Sequence, residues 1–163
     1  MVVLSEILAS IQSNPHKIYL QCGIQYDEQG LYKEAIDCYN KSIALKPDFL
    51  IAYNNRGISL FKAGYYTLSV VDFQQCIKLD NKFISGYFHL GLSLLKLGKY
   101  DKSIEMFQEV INLDSKYSLA YFYQAVAYKF LGKIEESKKL FSTAILLDNN
   151  LKNQYNSLYN TNY

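Results

Sequence analysis

Residues 50–83 read LIAYNNRGISLFKAGYYTLSVVDFQQCIKLDNKF. Before Gly64, aromatic, small and apolar residues stand at i, i+4 and i+7, namely Tyr53, Gly57 and Leu60. The same spacing returns after it, at Ser69, Phe73 and Cys76. This is the spacing of one helical face, so each run predicts a helix. A glycine between them supplies the left-handed backbone that ends a helix, and the stretch therefore predicts a helical hairpin.

The pattern returns every 34 residues along the chain. The turn glycines are Gly30, Gly64, Gly98 and Gly132. Matching columns hold Tyr19, Tyr53, Tyr87 and Tyr121; Gly23, Gly57, Gly91 and Ala125; Tyr39, Phe73, Phe107 and Phe141. A constant period of this length is typical of arrays in which neighbouring hairpins bury each other's apolar faces. We predict four two-helix repeats, at residues 16–49, 50–83, 84–117 and 118–151, in one structural domain.

These columns resemble the tetratricopeptide repeat family, over residues 16–151 and in four copies. The family pattern has a bulky aromatic residue, a small residue four positions later, and small and aromatic positions in the second helix. The first aromatic is Tyr here where the family has Trp, and only Pro47 keeps the family's late proline. The resemblance implies an all-α fold, a right-handed α-solenoid of stacked antiparallel helix pairs.

The two ends predict additional helices. Residues 1–14 carry Leu4, Ile7, Leu8 and Ile11 on one face, which predicts an amphipathic helix capping the first repeat. Residues 152–163 continue the repeat phase with Tyr155, and we expect a short capping helix there. The alternative is that this segment begins a further repeat of a longer array.

Composition argues against several classes of protein. Seventeen basic and fifteen acidic residues leave a net charge of +2, which favours neither bulk nucleic-acid nor membrane attraction. Cys22, Cys38 and Cys76 form an odd set without a closely spaced pair, so we predict unpaired thiols and no zinc site. With no recognisable signal peptide and no long apolar stretch, we expect a cytoplasmic location and no membrane span.

No catalytic arrangement is recognisable in the sequence. His16 and His89 lie far apart without an accompanying triad, and Asp27-Glu28 are neighbours that point about 100° apart on a helix. We interpret such adjacent carboxylates as solvated helix faces. The expectation is therefore a protein that is not an enzyme and that uses no cofactor or metal.

The resemblance implies a ligand groove lined by one face of the first helix of each repeat. On that face we predict a peptide-binding groove made of Asn54, Asn55, Ile58, Phe61, Phe88, His89, Leu92, Leu119, Phe122, Tyr123 and Val126. The apolar side chains would receive the anchors of an extended or helical segment, and the asparagines would hydrogen-bond its backbone. Alternatively, the aromatics are inter-repeat packing, or a second copy of the chain or its own tail covers them.

The best-understood ligand mode of the family is a carboxylate clamp of Lys, Asn and Arg that holds acidic chaperone tails. The corresponding positions of the first three repeats are Leu20, Ile24, Asn55, Ser85 and His89. One repeat later they are Asn54, Ile58, His89, Leu119 and Tyr123. Only Asn55 fits, so we expect no chaperone tail of that type.

The resulting hypothesis is a protein-interaction scaffold or adaptor, co-chaperone-like in architecture, whose partner is a protein or peptide of unknown identity. Oligomers of the chain itself are a second kind of assembly. The alternative function is a regulatory or targeting domain of a larger protein. An RNA-binding helical repeat is less favoured, because related RNA-binding arrays have a 35-residue period and polar base-reading positions.

Overall fold

The computed structural model describes residues 14–159, with side chains described as far as residue 155. Eight helices fall into four successive pairs: α1 (Pro15–Glu28) with α2 (Tyr32–Leu45), α3 (Leu50–Lys62) with α4 (Tyr66–Leu79), α5 (Ile84–Lys96) with α6 (Tyr100–Leu113), and α7 (Ser118–Phe130) with α8 (Ile134–Leu147). A 3₁₀ turn (Asn149–Leu151) and α9 (Lys152–Tyr159) follow. The described residues contain no strand, and the predicted all-α class is confirmed. The predicted capping helix at 1–14 lies outside the described residues, apart from Asn14.

The chain forms two compact units, the first ending at Asn81 and the second beginning at Lys82. In the first unit, α1 packs on α2 and α3 on α4, and α2 also contacts α3. In the second, α5 packs on α6 and α7 on α8, with α6 against α7. Within each unit, helix pairs therefore stack on one another in chain order.

The turn inside each pair depends on glycine. Gly64 has φ of 85° and follows α3 directly after its C-cap residue, Ala63. The Tyr65 amide then donates to the Leu60 carbonyl at 2.8 Å, which satisfies one of the last acceptors of the helix. The corresponding glycines of the other three pairs also have positive φ, so the predicted turn is confirmed in all four.

A glycine in the first helix of a pair makes room for an aromatic ring of the second. A Cβ built on Gly57 would lie 2.7 Å from Cε1 of Phe73, and one on Gly91 would lie 2.7 Å from Cε1 of Phe107. The Gly91 carbonyl also accepts from Ser103 Oγ at 2.8 Å. In both pairs the aromatic ring fills the space left by the missing side chain.

The last turn and α9 cover the end of the second unit. Leu151 is buried, and the Tyr155 ring meets the Phe141 ring edge-on with centroids 5.2 Å apart. The short helix expected after residue 151 is thus present as far as Tyr159, and residues 160–163 lie outside the described part.

The pairing of the cysteines differs from the prediction made from the sequence. Cys22 on α1 and Cys38 on α2 form a disulfide, with Cα atoms 6.0 Å apart, and Cys76 is the free cysteine of the described residues. The prediction of three unpaired thiols is wrong for the first two. It considered only closely spaced cysteines, whereas the packing of one helix pair brings together residues 16 positions apart.

Candidate peptide-binding face

In the first unit, predicted groove residues line a cleft. Its walls come from α1, α2 and α3, and its volume is about 230 Å³. The lining residues are Ile24, Asp27, Glu28, Tyr39, Asn55, Ile58 and Lys62. We call this the Asp27 cleft. Of the predicted site, it contains Asn55 and Ile58 beside two further residues of the same helical faces, Ile24 and Asp27.

Two other predicted residues of α3 lie outside this cleft. Asn54 is buried, and its Nδ2 donates to Oδ1 of Asn55 at 3.3 Å. Phe61 is partly exposed and meets Tyr66 edge-on, with ring centroids 5.3 Å apart. The structure therefore leaves Phe61 accessible, whereas the Asn54 amide is committed to packing and to its neighbour.

In the second unit, the predicted aromatic anchors are mostly core residues. Phe88 is 6% exposed, and its ring lies 5.1 Å from that of Tyr117 and 5.8 Å from that of Tyr123. Phe122 is 4% exposed and meets Phe141 edge-on at 5.1 Å. Val126 is also buried beside Phe122. Packing between helices thus accounts for these three positions.

A second set of predicted residues remains accessible on α5 and α7. Leu119 is 36% exposed, and Leu92, His89 and Tyr123 are partly exposed. His89 Nδ1 lies 2.9 Å from the Ser85 carbonyl oxygen, which fixes the orientation of the imidazole ring. Leu92 and Tyr123 pack against the cluster that contains Phe88. The buried aromatics therefore support an exposed layer of apolar side chains.

The Asp27 carboxylate takes part in a partly buried hydrogen-bond network. Tyr39 Oη donates to its Oδ2 at 2.8 Å, and Ser59 Oγ lies 2.7 Å from its Oδ1. Tyr39 and Ser59 are both fully buried. Burial raises the pKa of the Tyr39 hydroxyl, and the hydrogen bond to Asp27 and its negative charge raise it further. The interpretation of Asp27-Glu28 as solvated holds for exposed Glu28 but is wrong for Asp27.

The described residues contain no group of three or more His, Cys, Asp or Glu side chains able to hold a metal ion. Over the same part of the chain, no helix is both long enough and apolar enough to span a bilayer.

Stacked helical hairpins with accessible apolar residues on the first helix of successive pairs define a class, the helical-repeat interaction modules. Family models described as TPR repeat or tetratricopeptide repeat match residues 23–64, 50–83, 84–117 and 119–151. The chain belongs to the tetratricopeptide repeat family, whose members are protein-interaction scaffolds and are generally non-catalytic. A comparison with curated proteins found no match.

Solved structures agree with this assignment. A crystal structure of MamA is 25% identical with a TM-score of 0.80, over 91% of this chain and 86% of that one. MamA from Desulfovibrio magneticus RS-1, residue 41 to its end, is 20% identical with a TM-score of 0.80, over 87% and 80%. The first TPR of Spaghetti (RPAP3), bound to the HSP90 peptide SRMEEVD, is 22% identical with a TM-score of 0.70, over 72% and 93%. The latter two likenesses concern the fold alone.

Proposed function

We propose that this chain is a non-catalytic scaffold or adaptor module that binds a peptide or protein segment through apolar anchors. The contact residues are the accessible members of the predicted groove. They are Asn55, Ile58 and Phe61 in the first unit and His89, Leu92, Leu119 and Tyr123 in the second. Each unit has its own contact residues, which lie beside buried Asn54 in the first unit and beside buried Phe88, Phe122 and Val126 in the second.

The observation that carries the proposal is the accessible apolar layer over a rigid aromatic core. Leu92 and Tyr123 lie over Phe88, whose ring is in contact with several other rings. Apolar side chains held in place by a packed core lose little conformational freedom when a partner covers them. Such residues are the usual anchors at interfaces.

An acidic chaperone tail does not suit this face. The Spaghetti relative binds the HSP90 peptide SRMEEVD, whose last residues include three carboxylate side chains. The positions that would form a carboxylate clamp here are Leu20, Ile24, Asn55, Ser85 and His89. The Asp27 cleft adds negative charge to the same helical faces. We therefore keep the prediction that such tails are not ligands.

The proposal covers both an independent adaptor and a regulatory or targeting domain of a larger protein, because both would use the same contact residues. The cytoplasmic location stays a prediction, and the Cys22–Cys38 disulfide removes one argument for it, the unpaired thiols.

Partner capture followed by measured affinity tests the proposal. Proteins retained by the immobilised chain are identified, and the binding segment is narrowed to a labelled synthetic peptide. Leu92→Asp/Leu119→Asp places two charges where apolar anchors would sit, and we expect its affinity for that peptide to fall at least about tenfold. An unfolding curve of the double variant checks that it still folds, because Leu92 and Leu119 are each only partly exposed.

The matched control is Leu146→Asp, in α8 of the same unit. Leu146 is 87% exposed and is not on a first helix, so this variant adds a charge without touching the proposed contacts. Equal affinity of the double variant and the wild type would overturn the assignment of this face.

A further inference from the structure

The Asp27 carboxylate has two neutral donors and no cationic partner among the described residues. The donors are the hydroxyls of Tyr39 and Ser59. The described ion pairs join Arg56 to Asp72 and Lys138 to Glu135, and neither involves this carboxylate. Lys62 lines the same cleft, but its Nζ lies over the Tyr32 ring, 5.6 Å from the centroid. A carboxylate held by neutral hydroxyls alone has no cation beside it that a cationic ligand would have to displace.

The hydroxyl of the network is a departure from the repeat pattern. At the Tyr39 column, the other three repeats have phenylalanine. The Asp27 column varies from repeat to repeat, with Phe61, Leu95 and Lys129 in the other three. The one hydroxyl of the aromatic column thus occurs in the repeat that has an acid at the other column, and the two side chains bond to each other.

Hydrogen bonds hold the Asp27 carboxylate in a position that lines the cleft. Tyr39 and Ser59 are fully buried, so their hydroxyls have no water to exchange with and keep their protein partners. Ser59 Oγ lies 2.7 Å from Asp27 Oδ1 and 2.9 Å from the Asn55 carbonyl oxygen, so its single proton is shared between the two acceptors. The acceptor is therefore oriented before any ligand arrives, which lowers the entropic cost of binding.

The rest of the cleft suits a long cationic side chain. Ile24 and Ile58 offer an apolar wall, and the Asn55 amide lies beside them. Lysine and arginine lay their methylene stems along apolar surface and keep the charged head on a polar partner. Two carboxylates, Asp27 and Glu28, against one ammonium, Lys62, leave the cleft with one net negative charge.

We propose that the Asp27 cleft binds a lysine or arginine side chain of the partner segment, with the stem on Ile24 and Ile58 and the cationic head on Asp27. The proposal rests on the proposed function and adds the chemistry of one subsite to it. A charge-assisted hydrogen bond of this kind is stronger than a neutral one and gives the segment a fixed register.

Peptide pools test the subsite without knowledge of the natural partner. The probes are labelled peptides of about twelve residues, acetylated and amidated, that share randomised apolar positions and differ at one position carrying Lys, Arg, Gln or Glu. Anisotropy should show the Lys and Arg pools binding the wild type at least about tenfold tighter than the Gln pool, with the Glu pool weakest. The ratio of the Lys-pool affinity to the Gln-pool affinity should decrease as the salt concentration is raised.

Two variants distinguish loss of the cationic subsite from loss of the folded structure. Asp27→Asn should bring the Lys pool to the affinity of the Gln pool and leave the Gln pool unchanged. Lys62→Glu removes the competing cation at an exposed position, so it should tighten the Lys pool at least about threefold even if Asp27→Asn proves unstable.

The outcomes distinguish this proposal from the broader one. If the apolar pools bind but all four share one affinity, or if Lys62→Glu leaves the Lys pool unchanged, the cationic subsite is refuted and the scaffold function stands. If no pool binds the wild type, both are refuted. A Gln pool with a free α-amine that matches the Lys pool would assign the cleft to a chain terminus and overturn the side-chain proposal.

Discussion

Arg56 on α3 forms a bidentate ion pair with Asp72 on α4. Its Nε donates to Oδ2 at 2.8 Å and its Nη2 to Oδ1 at 2.6 Å, and the Asp72 side chain is only 3% exposed. Burial acts to lower the pKa of the guanidinium, but the hydrogen bonds and negative charge of Asp72 outweigh it and the pKa lies above its ordinary value. One repeat earlier, the same two columns hold Cys22 and Cys38.

Loss of the arginine should destabilise the first unit. Arg56→Leu leaves the buried Asp72 carboxylate without its cation, and we expect the free energy of unfolding to fall by about 3–5 kcal/mol. Urea denaturation followed by circular dichroism measures it. A change below about 1 kcal/mol would show that the carboxylate finds water or another donor.

An apolar pair should restore this loss. Repeat 3 has Leu90 and Met106 in the two columns, so Arg56→Leu/Asp72→Met copies a combination the chain already uses. Replacing a buried ion pair by well-packed apolar residues is often neutral or stabilising. The double variant should therefore be at least as stable as the wild type, and a loss equal to that of Arg56→Leu would contradict the packing argument.

Thiol counting tests the pairing of Cys22 with Cys38. Unfolded without reductant, the chain should react with a thiol reagent at one position, Cys76, and after reduction at three. Closing a loop of this length is worth about 3 kcal/mol, so reduction should also lower the unfolding midpoint. Three reactive thiols before reduction would contradict the Cys22–Cys38 pairing.

The buried thiol of Cys76 predicts a loss of stability at alkaline pH. Burial raises its pKa to about 12, with a further contribution from the negative charge of Asp72. In the unfolded chain, a cysteine titrates near about 8.5. The folded state keeps the proton that the unfolded state releases, so this contribution is complete below about pH 8.5 and is lost as pH rises towards 12.

Between about pH 9 and pH 10, this single group should lower the free energy of unfolding by up to about 1.4 kcal/mol per pH unit. Denaturation of the wild type and of Cys76→Ala across that interval measures the difference in slope. Identical slopes would mean that the thiol is not protected from ionisation.

The contact between Gly57 and Phe73 predicts that an added methyl group is harmful. Gly57→Ala would place a Cβ 2.7 Å from the ring, and overpacking of this kind costs about 1–3 kcal/mol. Gly→Ala in an exposed helix would instead gain about 1 kcal/mol from propensity. Thermal unfolding of Gly57→Ala and the wild type shows the sign of the change in stability. A more stable Gly57→Ala would mean that the ring moves aside freely.

Alanine variants of Phe88 and Leu119 should distinguish an effect on stability from an effect on peptide binding. Phe88→Ala empties a buried ring site and should cost about 3–5 kcal/mol. Leu119→Ala removes a side chain that is 36% exposed, should cost less stability than Phe88→Ala, and should still weaken binding of the captured peptide. Unfolding curves and anisotropy on both variants provide the comparison. Unchanged peptide affinity for Leu119→Ala would remove it from the contact set.

The hairpins could be predicted from sequence because a constant period leaves few alternatives. The positions of Gly64 and Phe73 recur in every repeat, so four copies of the same evidence fix the two helices and the turn between them. The helix bounds found in the structure follow from those columns.

The site was harder to predict, because a first helix has apolar residues on two adjacent faces. Spacing alone could not tell that Phe88 lies under the surface while Leu119 remains on it. The partners of Asp27 are 12 and 32 residues away, and no helical period relates them. The sequence feature that could have indicated this network is Tyr39, the single tyrosine at a position where the other repeats have phenylalanine.

The Arg56 bridge also bears on how such an array can grow. Both of its ends belong to one hairpin, so duplication of the gene segment for residues 50–83 would copy charge and countercharge together. Asp27 differs, since Ser59 comes from the following hairpin. A first hairpin moved in front of repeat 3 would meet Ser93 in the Ser59 column, whereas in front of repeat 4 it would meet Ala127. The acidic subsite therefore depends on which hairpin follows it, whereas the Arg56–Asp72 pair is carried whole within its own hairpin.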